Sequence, residues 1–556
     1  MADKRKTAFL LILFSIVFLL VYVGVFKHNS TVIFLDIQCV GEGIELSLVE
    51  QRRDFSAKKE LRGEEYTVAR VNIQQSYSDG KFYFFLPDYM DLSEVYIASS
   101  CGKDVVFEET PIIDDETPSF TLEENRDYNI GIGEEEISFR IMKGSELPTL
   151  WIDTGDAMDY VHADQVNTVS GDICLLDKDG KTEYSGDMEA FHGRGNSSWS
   201  TAKKSYSMKT KESVSLLGMT PGRSWVLQGG ALDVTCMRNK IFMDMATECG
   251  LPNSVDCEWV DLYIDDEYYG CYLLTEKITV ANGRMEIGDL EGQTEVLNQV
   301  PKEEYVPFHL PGDISVKGYL VENNPEDISG GYLLEVETYT FRYDAEPCGF
   351  VTMEGIPVLV KCPGYASYEQ VTYISSYVQE FEAALYAEDG YNDAGSYYLD
   401  YIDLESFALR YLIEELSKNI DAGYSSYFFY KPNGEDIMYA GPVWDFDTAC
   451  GNSPWGDPEV LEEPEGLYMN LGNWSEQLWA KADFREALGE MYAKKLLPYL
   501  DELVESGFAD YEDTVYESAQ MEAVLLGREN LDEEIRFLED FIRERRDYLE
   551  EVLIGE

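Results

Sequence analysis

The chain has 556 residues, 106 of them acidic and 43 basic, for a formal net charge of −63. A surface this negative repels nucleic acid and anionic lipid headgroups, and any nucleotide site must be locally basic or bridged by a cation. Hydrophobic content of 45% and aromatic content of 13% exclude a disordered chain, and the length calls for two or three domains.

Lys4, Arg5 and Lys6 precede an uncharged apolar run at residues 8–26, long enough to span a bilayer. No small-x-small cleavage pattern follows Phe26. The expectation is a cytoplasmic stub and uncleaved membrane anchor over residues 1–28, with the rest of the chain outside the cytoplasm. Ten cysteines without CxxC spacing, and four His in all, argue against zinc. An oxidising compartment would allow disulfides, but no pairing can be read.

Residues 29–146 read as a β-rich domain, with runs at 31–37, 43–49, 67–73, 81–86 and 94–97 separated by turn residues, as in a small sandwich or barrel. They carry no catalytic motif and suit a spacer or recognition module. From Leu147-Pro148 helices join the strands. Residues 177–180 form a hairpin turn rather than a calcium loop, because the downstream bidentate Glu is missing. A helix follows over 233–249, then a hairpin of 257–264 and 268–275 turned at Asp265-Asp266. Another helix over 404–418 is capped by Asp403 and buries Leu404, Phe407, Ala408, Tyr411, Leu412 and Leu416. Residues 501–556 are helical with an acidic polar face, which favours packing on the preceding domain over membrane binding.

The chemistry concentrates at 417–431 and 440–452. A helix ends at Asn419-Ile420-Asp421, and a hairpin leads to Trp444-Asp445-Phe446-Asp447. In an extended segment residues i and i+2 share a face, so Asp445 and Asp447 would point together and need a cation between them. Hard oxygen donors suit Mg²⁺ or Mn²⁺, or a structural Ca²⁺. Asp421 is placed in sequence to orient an attacking hydroxyl.

A second segment, His192-Gly-Arg-Gly-Asn-Ser-Ser-Trp199 followed by Lys203-Lys204, is among the few basic stretches. It offers Arg194 and Lys204 to phosphate, with Lys204, Tyr206 and Met208 on one strand face. Glu276 is a candidate ion-pair partner for Lys204 or Arg194. A tight turn with exposed lysines is the plainer reading of this segment.

These motifs, in order with Ser215-Leu-Leu-Gly-Met219, Trp225-Val-Leu227, Arg238-Asn-Lys240 and Tyr269-Gly-Cys-Tyr-Leu-Leu-Thr-Glu276, resemble the CotH family over roughly residues 148–500. The resemblance implies an α+β, protein-kinase-like domain over 147–500 that phosphorylates secreted or surface proteins, using ATP with Mg²⁺ or Mn²⁺. It implies Asp421 as catalytic base, Asp445 and Asp447 as metal ligands, and Arg194, Lys204 and Glu276 at the nucleotide. Ser426, five residues after Asp421 where ordinary kinases place a metal-binding Asn, is a supporting group together with Asn419 and Asn452. The alternative is a non-catalytic adhesion or assembly protein with a kinase-like binding domain.

Overall fold

The computed structural model describes residues 31–40, 43–52, 59–61, 64–113, 119–281, 283–470 and 472–555. The expected anchor at 8–26 lies outside them; among the described residues no helix is long and apolar enough to cross a membrane.

The β-rich region forms two sheets around one core, a sandwich. Thr31–Val40 lies between Gly43–Arg52, antiparallel, and Val95–Ser99, parallel, in a five-stranded sheet. The second sheet has six strands and pairs Glu135–Lys143 with Asp127–Ile132 and Phe82–Leu86. Alternating apolar residues such as Leu35, Ile37, Phe84, Ile130 and Phe139 point between the sheets. A Cys39–Cys101 disulfide ties the first strand to the end of Val95–Ser99. The sandwich core continues into Tyr263, Tyr268, Met521 and Leu525, so this region packs against the rest of the chain. The Tyr263 hydroxyl donates to the Phe85 carbonyl at 3.0 Å, and Gln74 Nε2 to the Tyr268 carbonyl at 3.0 Å.

Seven strands from Thr149–Asp153 to Glu267–Glu276 then close a barrel, sealed by parallel pairing of Thr149–Asp153 with Cys257–Ile264. Its interior holds Leu150, Phe191, Tyr206, Met208, Trp225 and Leu274, residues that alternate with outward polar ones. The turn at 177–180 is a hairpin, with the Asp177 N–H donating to the Lys181 carbonyl at 2.9 Å. Asp265 and Asp266 make the other turn with φ of 49° and 70°, which matches strand twist in a two-residue hairpin. The helix expected over 233–249 is Arg238–Glu248. Residues before it form a turn, because Asp233 binds the Thr235 and Arg238 N–H groups instead of continuing a helix.

The remaining body has a seven-stranded antiparallel sheet, on which the helices Tyr368–Tyr386 and Leu404–Ser417 pack. Asp403 caps the latter, accepting the Ser406 N–H at 2.8 Å. The C-terminal helices Phe508–Leu526 and Leu531–Ile554 lie against this body through Val515, Ala519, Leu538, Ile542 and Leu549.

Candidate active site

Helix Leu404–Ser417 ends without a glycine. Lys418 takes the left-handed conformation, φ 43°, and its ammonium donates to the carbonyls of Val460, Glu463 and Glu465 at 3.0, 2.6 and 2.8 Å. Those bonds offset the strain and fix the direction in which Asn419 and Asp421 leave the helix. Asn419 Oδ1 accepts the Asp421 N–H at 3.2 Å, while its Nδ2 donates to the Asp445 carbonyl at 3.2 Å. One amide therefore couples the two acids.

From Asp421 the chain turns into strand Tyr427–Lys431, returns through Tyr439–Ala440 and reaches Asp445. Asp445 is left-handed, φ 71°, and is held on both sides. Buried Arg410 donates to the Pro442 carbonyl at 2.5 Å, and the Phe446 N–H donates to Asn239 Oδ1 at 2.7 Å. Ser426 Oγ donates to Asp445 Oδ2 at 3.3 Å. Asn452 Nδ2 holds the following turn through the Asp447 and Leu232 carbonyls at 2.6 and 2.8 Å. The segment is thus not extended, and strand alternation does not set the Asp445–Asp447 relationship.

The acids nonetheless act on one another. Burial, then the Asp445 charge, pushes the Asp421 carboxyl up to about 7, against the pull of Arg342. Burial, followed by Asp445, Asp233 and Asp421, raises the Asp447 carboxyl well above the usual range. Among the described residues no group of three or more His, Cys, Asp or Glu side chains is arranged to hold a metal ion. Asp421, Asp445 and the Ser426 hydroxyl remain hard oxygen donors. Mg²⁺ typically takes one or two carboxylates, the rest of its shell coming from phosphate and water.

Arg194 ends strand Thr182–Arg194 and sits over the Trp444 ring, 5.3 Å from its centre. Burial weakens its hold on its proton, while Asp445 and Glu335 strengthen it. Gly193 is required here, because a Cβ would collide with the Trp199 ring. Past the glycines, Asn196, with its amide oxygen turned toward Arg342, accepts from Nε and Nη2 at 2.8 Å each. Arg342 also pairs with Glu337 at 2.8 Å and donates to Ser425 Oγ. The glycine loop and the turn after Asp421 are joined by that one guanidinium. Beyond Asp421 lies a cavity of about 100 Å³ lined by Ala422, Gly423, Tyr424, Tyr468 and Met469.

The family model for the CotH kinase protein matches residues 191–549, more than half of the chain. The chain belongs to the CotH family. No curated protein matches it. The matched CotH region starts in the strand that carries Arg194 and takes in the C-terminal helices.

Two basic-site expectations for the CotH domain need correction. Lys204 does not face the acids: its ammonium donates to the Trp199 and Thr201 carbonyls at 2.7 and 3.1 Å and lies over the Trp199 ring. The strand begins only at Ser205, so Lys204 braces its own turn. Glu276 pairs with neither Lys204 nor Arg194. It accepts the Thr220 N–H at 2.8 Å and lies 3.7 Å from Arg284. The neighbouring Lys203 is the buried one, paired with Glu522 and donating to the Cys271 carbonyl at 2.6 Å. Sequence reading missed Lys277, whose proton affinity is lowered by burial and then by the charges of Arg194, Lys361 and Lys209, and Lys361, which pairs with Glu335 and Glu346. It also missed Arg342 and the role of Asn239, though Arg238-Asn-Lys240 was visible as a motif.

Proposed function

We propose that this CotH protein is a membrane-anchored phosphotransferase that moves the γ-phosphoryl group of ATP to hydroxyls of secreted or surface proteins. The observation that carries the reading is the Asn419 amide, which binds the Asp421 and Asp445 segments together opposite Arg194. Asp445, with Ser426 beside it, would hold Mg²⁺ or Mn²⁺, which when bound supplies charge neutralisation at the phosphates. Arg194 and Lys277 offer positive charge to the donor. Asp421 accepts the acceptor hydroxyl proton, and a carboxyl near pH 7 is matched to that task. The acceptor side chain enters by the cavity at Tyr424 and Tyr468. Asp447 and Asn452 support the metal side. The apolar run at 8–26 and the Cys39–Cys101 disulfide support placing the bulk of the chain outside the cytoplasm.

The test is the full chain with γ-labelled ATP and Mg²⁺ or Mn²⁺. Label should appear on the protein or on an added Ser/Thr-rich protein, and should fall by roughly 100-fold or more in Asp421→Asn and in Asp445→Asn. Equal labelling in both variants would overturn the reading. The alternative, a kinase-like adhesion or assembly module, is favoured by the engagement of Lys204 and Glu276 in local contacts. It predicts function that survives both substitutions.

A further inference from the structure

The stretch from Glu337 to Tyr343 runs beside the turn that follows Asp421, and hydrogen bonds join the two along their length. The Thr338 N–H donates to the Tyr424 carbonyl at 2.7 Å, while the Tyr424 and Ser425 N–H groups both donate to the Asp421 carbonyl at 2.9 Å. Buried Ser425 donates from Oγ to Glu337 Oε2 at 3.0 Å. Arg342 pairs with the same Glu337 at 2.8 Å, donates to Ser425 Oγ and reaches Asn196 of the glycine loop. In the short helix Thr340–Ala345, Tyr343 is turned inward, with the Lys317 ammonium over its ring and bonded to its carbonyl. Residues two apart on a helix differ by about 200°, so the rotation that buries Tyr343 sends Phe341 outward. Phe341 is 69% exposed, and Tyr339, 6.2 Å away between ring centres, is 43% exposed. Tyr424, itself 40% exposed, lines the cavity beyond Asp421. Aromatic side chains held at the surface by a rigid frame offer apolar area that a partner can cover at little entropic cost.

We infer that Tyr339, Phe341 and Tyr424 form a docking ledge for the acceptor protein, selecting an extended segment with a large apolar residue close to the hydroxyl that receives phosphate. The inference rests on the phosphotransferase reading and deepens it by naming a substrate class. Position and charge choose the occupant. Ledge and acceptor cavity share Tyr424, and an extended chain advances at most about 3.5 Å per residue, so a segment whose hydroxyl enters the cavity lays its flanking residues along the ledge. A membrane or a second copy of the chain fits poorly, because a surface of formal charge −63 repels both anionic headgroups and itself. A short segment brings few charges and buries one apolar side chain against the exposed rings.

The test mixes the full chain with fluorescent peptides carrying a central Ser, in which Leu replaces Asn at each flanking position in turn. Without ATP, anisotropy should reveal a position at which Leu tightens binding by about tenfold. In Phe341→Asn that preference should shrink to about twofold or less, with the melting temperature unchanged because the site is exposed. With labelled ATP and Mn²⁺, the favoured Leu peptide should show a lower KM at similar kcat, the signature of binding made equally in ground and transition states. Absence of a Leu preference at every position overturns the inference, as does a preference that survives in Phe341→Asn. So does a Phe341-dependent dimer in sedimentation without any peptide preference. Leu-dependent binding with no transfer to any peptide keeps the ledge and sinks the phosphotransferase reading; transfer without Leu preference does the reverse.

Discussion

The Arg194 guanidinium lies over the indole of Trp444, so the last residue of a barrel strand reaches the residue immediately before Asp445. A planar cation on an aromatic face keeps its five donors free at the rim, where a phosphate can take them. Arg194→Lys should retain the fold but lose about tenfold in transfer, since a point charge neither stacks nor binds in a fork. Arg194→Ala should lose roughly 100-fold. Steady-state rates alongside melting curves decide it; wild-type turnover in Arg194→Ala would remove this cation from the site.

Asn419 is the next test, because its two bonds are the direct link between the acids. Asn419→Ala deletes both, at a stability cost of about 1–3 kcal/mol. Transfer should fall by about 10–100-fold, with a higher Mn²⁺ concentration needed for half-maximal rate, as expected when metal and base lose register. Titration of the rate with Mn²⁺ reads both. A variant that lost stability but kept its rate and metal dependence would reduce Asn419 to a structural cap.

The acids were legible because their spacing spans one helix end and one hairpin, both local patterns. The helix capped by Asp403 and the hairpin at Asp265-Asp266 were legible for the same reason: periodicity and turn chemistry act over a few residues. Lys203 and Lys204 were not separable by alternation, because the strand starts one residue too late for Lys204 to take a strand face. What distinguishes Lys203 is Glu522, 319 residues away in a C-terminal helix. Arg342 meets Asn196 and Ser425 across similarly non-local gaps in sequence. Such pairings are set by tertiary packing and leave no periodic trace.

Asp261 gives a pH prediction away from the acidic cleft. Complete burial pushes its carboxyl up to about 7, although Ser518 Oγ and Tyr268 OH donate to it at 2.9 and 3.0 Å. Glu522, Lys203, Tyr263 and Cys271 also face it. A carboxyl with a raised folded pKa binds more protons folded than unfolded, so stability falls as pH rises from about 4 to about 7 and stays reduced above that. The full effect is at most roughly 4 kcal/mol. In Asp261→Asn that slope should be lost, so the difference between variant and wild-type urea midpoints should itself change across pH 4–8. A parallel pair of profiles would show Asp261 ionised throughout.

Lys203 and Glu522 form a buried ion pair, their side chains 1% and 2% exposed, and Glu522 Oε2 also accepts the Cys271 N–H at 2.9 Å. Removing one partner strands the other charge, so Lys203→Met should cost about 3–5 kcal/mol. Lys203→Met with Glu522→Gln should recover much of it, since Gln still accepts the Cys271 N–H and leaves no bare carboxylate, while Arg528, 3.6 Å from Glu522, is partly exposed and keeps solvent. The same experiment separates a structural lysine from a nucleotide-binding one. With its ammonium committed to Glu522 and the Cys271 carbonyl, Lys203 should matter to folding and little to the donor. Well below its melting temperature, the double variant should bind ATP and transfer phosphate within about threefold of wild type. A 100-fold loss of transfer at restored stability would instead place Lys203 at the phosphates, and would require the pair with Glu522 to open during turnover.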